Sequence, residues 1–253
     1  DTQVVLWPET GFPDSLDIRY LSSTYAAPVR KFFQEKHLPL LTGAYSFGKK
    51  NDREVVYNGF FLLNENGDTP LFPYYKHILL AFGEYFPLGD TFPILYQIFP
   101  MVGEFGRGPG PVVMPWPQAV VGPQVCYEGL YPEHSAKLAE LGAQIFTNVS
   151  NDSWYGTWAE PYQHLYMTLA RAVEFRRPLI RATNTGISSA ILANGEVLQM
   201  SPMLKEWSGQ FVLKFQSHPE HTIYEKFGYL WPYLLAFLIV LLLVLSRGKS
   251  KES

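Results

Sequence analysis

Residues Val120–Glu133 read VVGPQVCYEGLYPE and carry the single cysteine of the chain. The β-branched Val120, Val121 and Val125 predict a buried strand. That strand delivers Cys126 at its end, while Tyr127-Glu128-Gly129 turns the chain away. A thiol at a strand tip, followed at once by a carboxylate, suits a nucleophile held in fixed geometry. A lone cysteine serving as a small buried hydrophobe is the plainer reading of the same residue. Its company elsewhere favours the first: Glu9 directly after a short strand, and Lys76 and Glu84 eight residues apart in one loop.

The totals bound what surrounds that strand. With 253 residues the chain has room for one large domain plus an appendage, and 47% hydrophobic and 16% aromatic residues are ample for a deep core. A net charge of −3 and the lack of any Lys/Arg block argue against nucleic acid as a partner. One cysteine rules out an internal disulfide, and with it zinc or iron–sulfur ligation by several cysteines. The sequence starts at Asp1 without Met or a signal-like segment, and Val4–Leu6 already looks like a strand. The expectation is a fragment or processed chain.

Outward from the cysteine strand, elements alternate. Gln3–Trp7 predicts a strand closed by Pro8-Glu9-Thr10, Tyr25–Lys36 a helix, and Leu40–Ser46 a strand. Val55–Leu63 and Thr69–Phe72 flank the turn signal Asn64-Glu65-Asn66-Gly67. Pro73–Gly110 is long, aromatic and without periodicity, as functional loops are. Next come a helix at His134–Leu141, a strand at Ala143–Asn148, and a helix at Gln163–Arg176 with Leu165, Leu169, Ala172 and Val173 inward. Strands are predicted at Leu179–Ala182, Ser188–Leu192, Val197–Met200 and Gln210–Phe215. The fold class is α/β, a sandwich around mixed sheets.

The end of the chain is different in kind. Phe227–Leu245, FGYLWPYLLAFLIVLLLVL, holds no charge over nineteen residues and predicts a transmembrane helix. Tyr229, Trp231 and Tyr233 fit an interfacial belt, and Arg247, Lys249 and Lys251 place residues 246–253 in the cytoplasm. The α/β domain, residues 1–222, then lies on the other face.

Glu9, Lys76 and Cys126 make a chemically sufficient set. A thiol near pKa 8.5 needs a base or a cation to act. A carboxylate can take its proton and later return it to a leaving group. An ammonium beside the attacked carbonyl stabilises the oxyanion. Acyl transfer through a thioester then needs neither metal nor organic cofactor.

LWPET around Glu9, YYKHILLAFGEYFP around Lys76 and Glu84, and VCYEGLYPE around Cys126 resemble the nitrilase superfamily. With NVSNDSWYGTWAEPYQH, RPLIRATNTGISSAI and the terminal apolar segment, the chain is similar more narrowly to the apolipoprotein N-acyltransferase family. The resemblance implies a nitrilase-like αββα sandwich on the periplasmic face of a bacterial inner membrane. It implies Glu9 as general base, Lys76 as oxyanion stabiliser and Cys126 as nucleophile, supported by Glu84, Glu128 and Tyr127, with Trp154 beside the substrate. The implied donor is a phospholipid, the acceptor a diacylglyceryl-cysteine lipoprotein, and a monomer is expected. That family has a first sheet strand and several membrane helices before the Pro-Glu element, and the expectation is that these are missing ahead of the Gln3–Trp7 strand.

Other readings share these residues. A membrane-tethered amidase or nitrilase would use the same triad with water as acceptor, and an inactive anchored interaction domain would need none of it. His77, His134 and His164 read as structural or surface residues, and Pro219 opposes a metal role for His218 and His221. Gly106-Arg107-Gly108 lacks any phosphate-loop context. Trp154, Tyr155 and Trp158 crowd a polar loop in the manner of a lid or lipid contact.

Overall fold

The computed structural model describes residues 2–17, 19, 25–50, 53–69, 73–154, 156 and 158–249, in two compact units that divide after Pro219. In the first unit, β1 (Val5–Leu6) and β2 (Phe12–Ser15) precede helix α1 (Ala26–Lys36). Strands β3 (Leu40–Lys50), β4 (Arg53–Leu63) and β5 (Tyr74–Tyr75) complete one sheet. β1 and β2 pair with β3 in parallel, while β3–β4 and β4–β5 are antiparallel. The long segment after β5 holds one short helix, α2 (Ile94–Ile98).

The second sheet follows. It comprises β6 (Met114–Trp116), β7 (Ala119–Val125), β8 (Ile145–Ser150), β9 (Leu179–Thr183) and β10 (Ser189–Ile191) in the order β10-β9-β8-β7-β6. β7, β8 and β9 are parallel, so helical crossovers must join them: α3 (Pro132–Glu140) and α4 (Glu160–Phe175).

Alternation along β4 shows how the layers form. Phe60 and Leu62 point to one side and join Leu41, Tyr74, Val121, Val125, Cys126 and Val149, a core drawn from both sheets. Phe61 and Leu63 point to the other side and meet Phe33 of α1 with Leu40 and Ala44. Each such fully buried side chain contributes roughly 1.5–3 kcal/mol. Beyond the second sheet, Phe146 of β8 packs edge-on against Phe175 of α4 at 6.0 Å. The layers therefore run α-β-β-α.

Several expectations need correction. Val173 is exposed, because the inner face of α4 is set by Leu165, Thr168, Ala172 and Phe175. Val197–Met200 forms no strand: Val197 makes one bridge to Ile191, after which Ser201 is captured by Ser188. Gln210–Phe215 has no strand partner among the described residues, and its Val212 is 82% exposed. Gly67 does turn the chain with φ +76°, but residues 70–72 of the strand expected after it lie outside the described residues.

The second unit contains α5 (Ile223–Phe227), capped by Thr222, a tight turn at Gly228–Leu230 and α6 (Trp231–Lys249). The apolar segment expected as one helix from Phe227 is thus interrupted, and its helix starts at Trp231. Pro232 fits there because the first turn needs no amide donor. Among the described residues no helix is long and apolar enough to cross a membrane. Residues 250–253 of the expected basic tail lie outside the described residues.

Gly43 lets the first strand cross closely over β3. A Cβ there would stand 2.6 Å from the Glu9 Cα and 2.7 Å from the Thr10 amide nitrogen, both backbone atoms. Gly43→Ala is expected to destabilise the domain by ~1–3 kcal/mol through overpacking, read as a lower urea midpoint. It should also lower activity by displacing Glu9.

Candidate active site

Cys126 stands where β7 ends and a tight helical turn, Cys126–Leu130, begins. Its φ of +52° lies in the left-handed region, which costs a residue with a Cβ roughly 1–2 kcal/mol. Strain of this kind survives only where surrounding contacts enforce it, and it gathers at functional sites. The thiol is 5% exposed and lies in the core between the sheets.

Glu9, Lys76 and Glu84 form one buried cluster. The Lys76 ammonium, 1% exposed, lies 2.9 Å from Glu84 Oε1 and 3.6 Å from Glu9 Oε1. Register explains this: Trp7 and Lys76 donate backbone bonds to Leu41 and Asn58, so the residues after β1 and β5 end on the same sheet. Asn58 of β4 bridges the two carboxylates, its Nδ2 donating at 2.6 Å to Glu9 and 3.1 Å to Glu84. The Asn151 amide, just past β8, donates to Glu9 Oε2 at 2.6 Å, and the Leu80 amide to Glu84 Oε2 at 2.8 Å. Neither Asn58 nor Asn151 was singled out by the sequence. An asparagine inside a strand of apolar neighbours was the available signal for Asn58.

The charges act on one another. Burial pushes the Glu9 carboxyl up, and nearby Lys76 pulls it back. Lys76 is held above the ordinary lysine range: burial alone would lower it, but Glu9, Cys126 and Glu84 outweigh that. The Cys126 thiol is pushed up to about 12, first by burial and then by Glu9, against Lys76 and the nearby Ser150 hydroxyl. The thiol therefore rests protonated, and a base must take its proton as it attacks. Glu9, raised above the ordinary carboxylate range, is a stronger base than a free carboxylate and would suit that task.

Glu128 caps the turn after β7, accepting from the Val125 amide, and reaches beyond it to the first sheet. Fully buried, it accepts from the Tyr74 hydroxyl at 2.5 Å and from the amides of His77, Ile78 and Val125 at 2.8, 3.1 and 2.8 Å. His77, Glu128 and His134 bring ligand atoms within 4.8 Å of one another. Glu128 Oε1 takes three of the four donors and Oε2 the fourth, so this carboxylate serves to join the segments it binds. Tyr127 is half-buried against the inter-sheet core and packs edge-on to Tyr131 at 5.3 Å. Trp154 is 73% exposed, and Tyr155 lies outside the described residues.

These donors hold the Glu128 carboxylate down to about 2 despite its burial. Because the folded value lies below the ordinary 4.5, its stabilisation is complete above that pH and is lost as pH falls toward 2. Glu128→Gln is expected to lower stability by about 3 kcal/mol at pH 7. Urea melts of the variant between pH 5 and 2 should show a shallower loss than wild type.

With this geometry in place, known proteins can be compared. The carbon-nitrogen hydrolase family profile matches residues 1–212. A relative named apolipoprotein N-acyltransferase from Bdellovibrio bacteriovorus is 50% identical over 98% of this chain and 46% of its own length. Proteins of the same name from Geobacter metallireducens and Pseudomonas aeruginosa are each 33% identical, over 81% and 98% of this chain and 39% and 47% of theirs. The chain thus spans about half the length of these relatives or less. Among solved structures, the amidase from Nesterenkonia sp. AN1 superposes with a TM-score of 0.55 at 21% identity, covering 79% of this chain and 76% of that one. A mutant of it shows covalent addition of the acetamide moiety of fluoroacetamide at the active site cysteine of that amidase. At such identity the likeness speaks for the fold alone. The sandwich and the family profile agree, and the chain belongs to the carbon-nitrogen hydrolase family.

Proposed function

We propose that this chain carries the catalytic domain of an apolipoprotein N-acyltransferase. It would move an acyl chain from a phospholipid, through a Cys126 thioester, to the amine of a diacylglyceryl-cysteine lipoprotein. The observation that carries the reading is the 50% identity, across 98% of the chain, to the Bdellovibrio protein of that name. The Glu9–Lys76 contact beside a resting thiol supports it chemically.

In the first half-reaction Glu9 takes the thiol proton as Sγ attacks the donor ester carbonyl. Lys76, kept charged by its two carboxylates, faces the oxyanion as it develops. The C–O bond then breaks, and the protonated Glu9 returns its proton to the departing alkoxide, releasing a lysophospholipid. In the second, the lipoprotein amine attacks the thioester, Glu9 takes the amine proton, and Cys126 leaves and regains it. Glu84 holds Lys76 in place, and Glu128 holds the turn that carries Cys126 and Tyr127. Trp154, exposed three residues after Asn151, would touch substrate.

The same reading makes residues 1–222 the catalytic domain on the periplasmic face of a bacterial inner membrane, working as a monomer. The apolar segment 227–245 would enter the bilayer, its aromatic start at the interface and the basic residues 246–253 in the cytoplasm.

Full-length wild-type protein incubated with acyl-labelled phospholipid vesicles should carry label on Cys126, released by hydroxylamine and passed to a diacylglyceryl lipopeptide amine. Cys126→Ala should lose all label, and Glu9→Gln should slow labelling by ~10²-fold or more. Label appearing equally in Cys126→Ala, or acyl groups passed to water alone, would sink the acyltransferase reading. The latter result would favour a hydrolytic amidase-type enzyme.

A further inference from the structure

Around the end of β8 and the Cys126 carbonyl lies a second set of buried polar groups that the mechanism above does not use. Asn148, Ser150, Asp152, His164 and Arg181 are each at most 3% exposed. Arg181 Nη2 meets Asp152 Oδ2 at 2.9 Å, and Arg181 Nη1 donates to Asn148 Oδ1. Asn148 Nδ2 donates at 3.1 Å to the backbone carbonyl of Cys126. The ring of His164 stands between Asp152 Oδ1, at 3.2 Å, and the same carbonyl, at 3.3 Å. Ser150 Oγ donates to Asp152 Oδ1 at 2.6 Å.

The donor directions in this chain are fixed by chemistry. A guanidinium only donates, so Arg181 must take the oxygen of the Asn148 amide and leave the NH2 group pointing at Cys126. Asp152 in turn fixes Arg181. Small residues leave room for the path: a Cβ on Gly129 would lie 2.9 Å from Asn148 Nδ2, and one on Gly186 2.0 Å from Asp152 Oδ2. A buried ion pair is a poor way to gain stability, since apolar residues of similar volume often do as well or better. What this one does is orient a donor onto the single residue of the active site held at φ +52°.

We propose that Asn148, aimed by Arg181 and Asp152 and seconded by His164, is a positioning residue that pins the Cys126 carbonyl and so holds the left-handed backbone that points the thiol at Glu9 and Lys76. The role in acyl transfer rests on the function proposed above; the role in placing the thiol does not.

Asn148→Asp separates orientation from packing. It keeps size and shape and keeps a partner for Arg181, but turns an acceptor oxygen toward the Cys126 carbonyl. Two readouts on the full-length protein are compared: alkylation of Cys126 by iodoacetamide across pH, and phospholipid-driven acylation. In wild type, alkylation should keep rising through pH 10, because the thiol sits beside Glu9 in a buried site. In Asn148→Asp the thiol leaves that cluster, so alkylation should level off near ~8.5, as for a free thiol. Acylation kcat should fall tenfold or more, with KM within twofold. Asn148→Ala, which also lacks the donor, should behave alike, and His164→Gln, which keeps a donor, should stay within about threefold of wild type. An unchanged pH profile and unchanged kcat in folded Asn148→Asp overturns the proposal. Failure of both Asn148 variants to fold also overturns it, since the network would then be a packing element. If wild type shows the expected alkylation profile, shifted in Asn148→Asp, yet acylates nothing, the positioning role stands and the acyltransferase reading falls.

Discussion

The arrangement depends on one buried carboxylate. Glu128 takes hydrogen bonds from Tyr74 and from the amides of His77 and Ile78, all on or just beyond the last strand of the first sheet, and from Val125 on the second. His77 follows Lys76 directly, and Val125 precedes Cys126. Two residues that are 50 positions apart in the sequence are thereby fixed with one covalent neighbour each on the same anion. Sheet-to-sheet packing alone would leave sliding freedom of some tenths of an ångström, since apolar contacts are not directional. Four donors on one carboxylate remove it.

That rigidity matters because the charges do not balance. Glu9 and Glu84 share one ammonium, so a thiolate beside them would add a further negative charge to a buried site. The resting thiol is the consequence, and burial reinforces it. Catalysis in such a site has to move the proton and form the S–C bond together, which demands that base, cation and sulfur be in place beforehand. Asn58 and the Asn151 amide serve the same end: each spends a donor on Glu9 and holds the carboxylate without neutralising it.

Much of this was legible in the sequence. The cysteine strand and Glu9 after β1 could be read because apolar strands announce themselves by β-branched runs and a charged residue at the end of one stands out, whereas Lys76 stands in an aromatic, aperiodic stretch that gives no sign of the two-residue strand β5 ahead of it. The helices at 26–36 and 160–175 showed their periodicity in the same way. What was not legible depends on distance. His164 read as a scattered surface or structural histidine, yet it stands 3.3 Å from the Cys126 carbonyl, because α4 lies over the second sheet. Asn58 carries no local sign that its amide will bridge two carboxylates contributed by residues 9 and 84. The strand expected at 210–215 failed for the converse reason. The segment QFVLKF is apolar enough for a strand, but a strand also needs a neighbouring edge, which no pattern within six residues can reveal. The terminal apolar run showed its composition but not the turn at Gly228–Leu230 that shortens its helix.

Under the function proposed above, Glu9, Lys76 and Cys126 would not by themselves choose between water and a lipid amine, so the choice has to be made around them. The segment that carries Lys76 and Glu84 displays Phe82, Leu88, Ile98 and Met101 with 60% to 86% of their surface exposed. Such exposure is costly in water and points to an apolar contact. The display is not loosely attached. Phe82 and Leu88 both hold left-handed backbone, Phe82 returns a bond to Tyr85, and the Leu80 amide is bound by Glu84. Glu84 thus holds Lys76 with one oxygen and the base of the apolar segment with the other. Under the proposed acyltransfer, the carboxylate that holds Lys76 would thus also fix the base of the apolar segment facing the lipid.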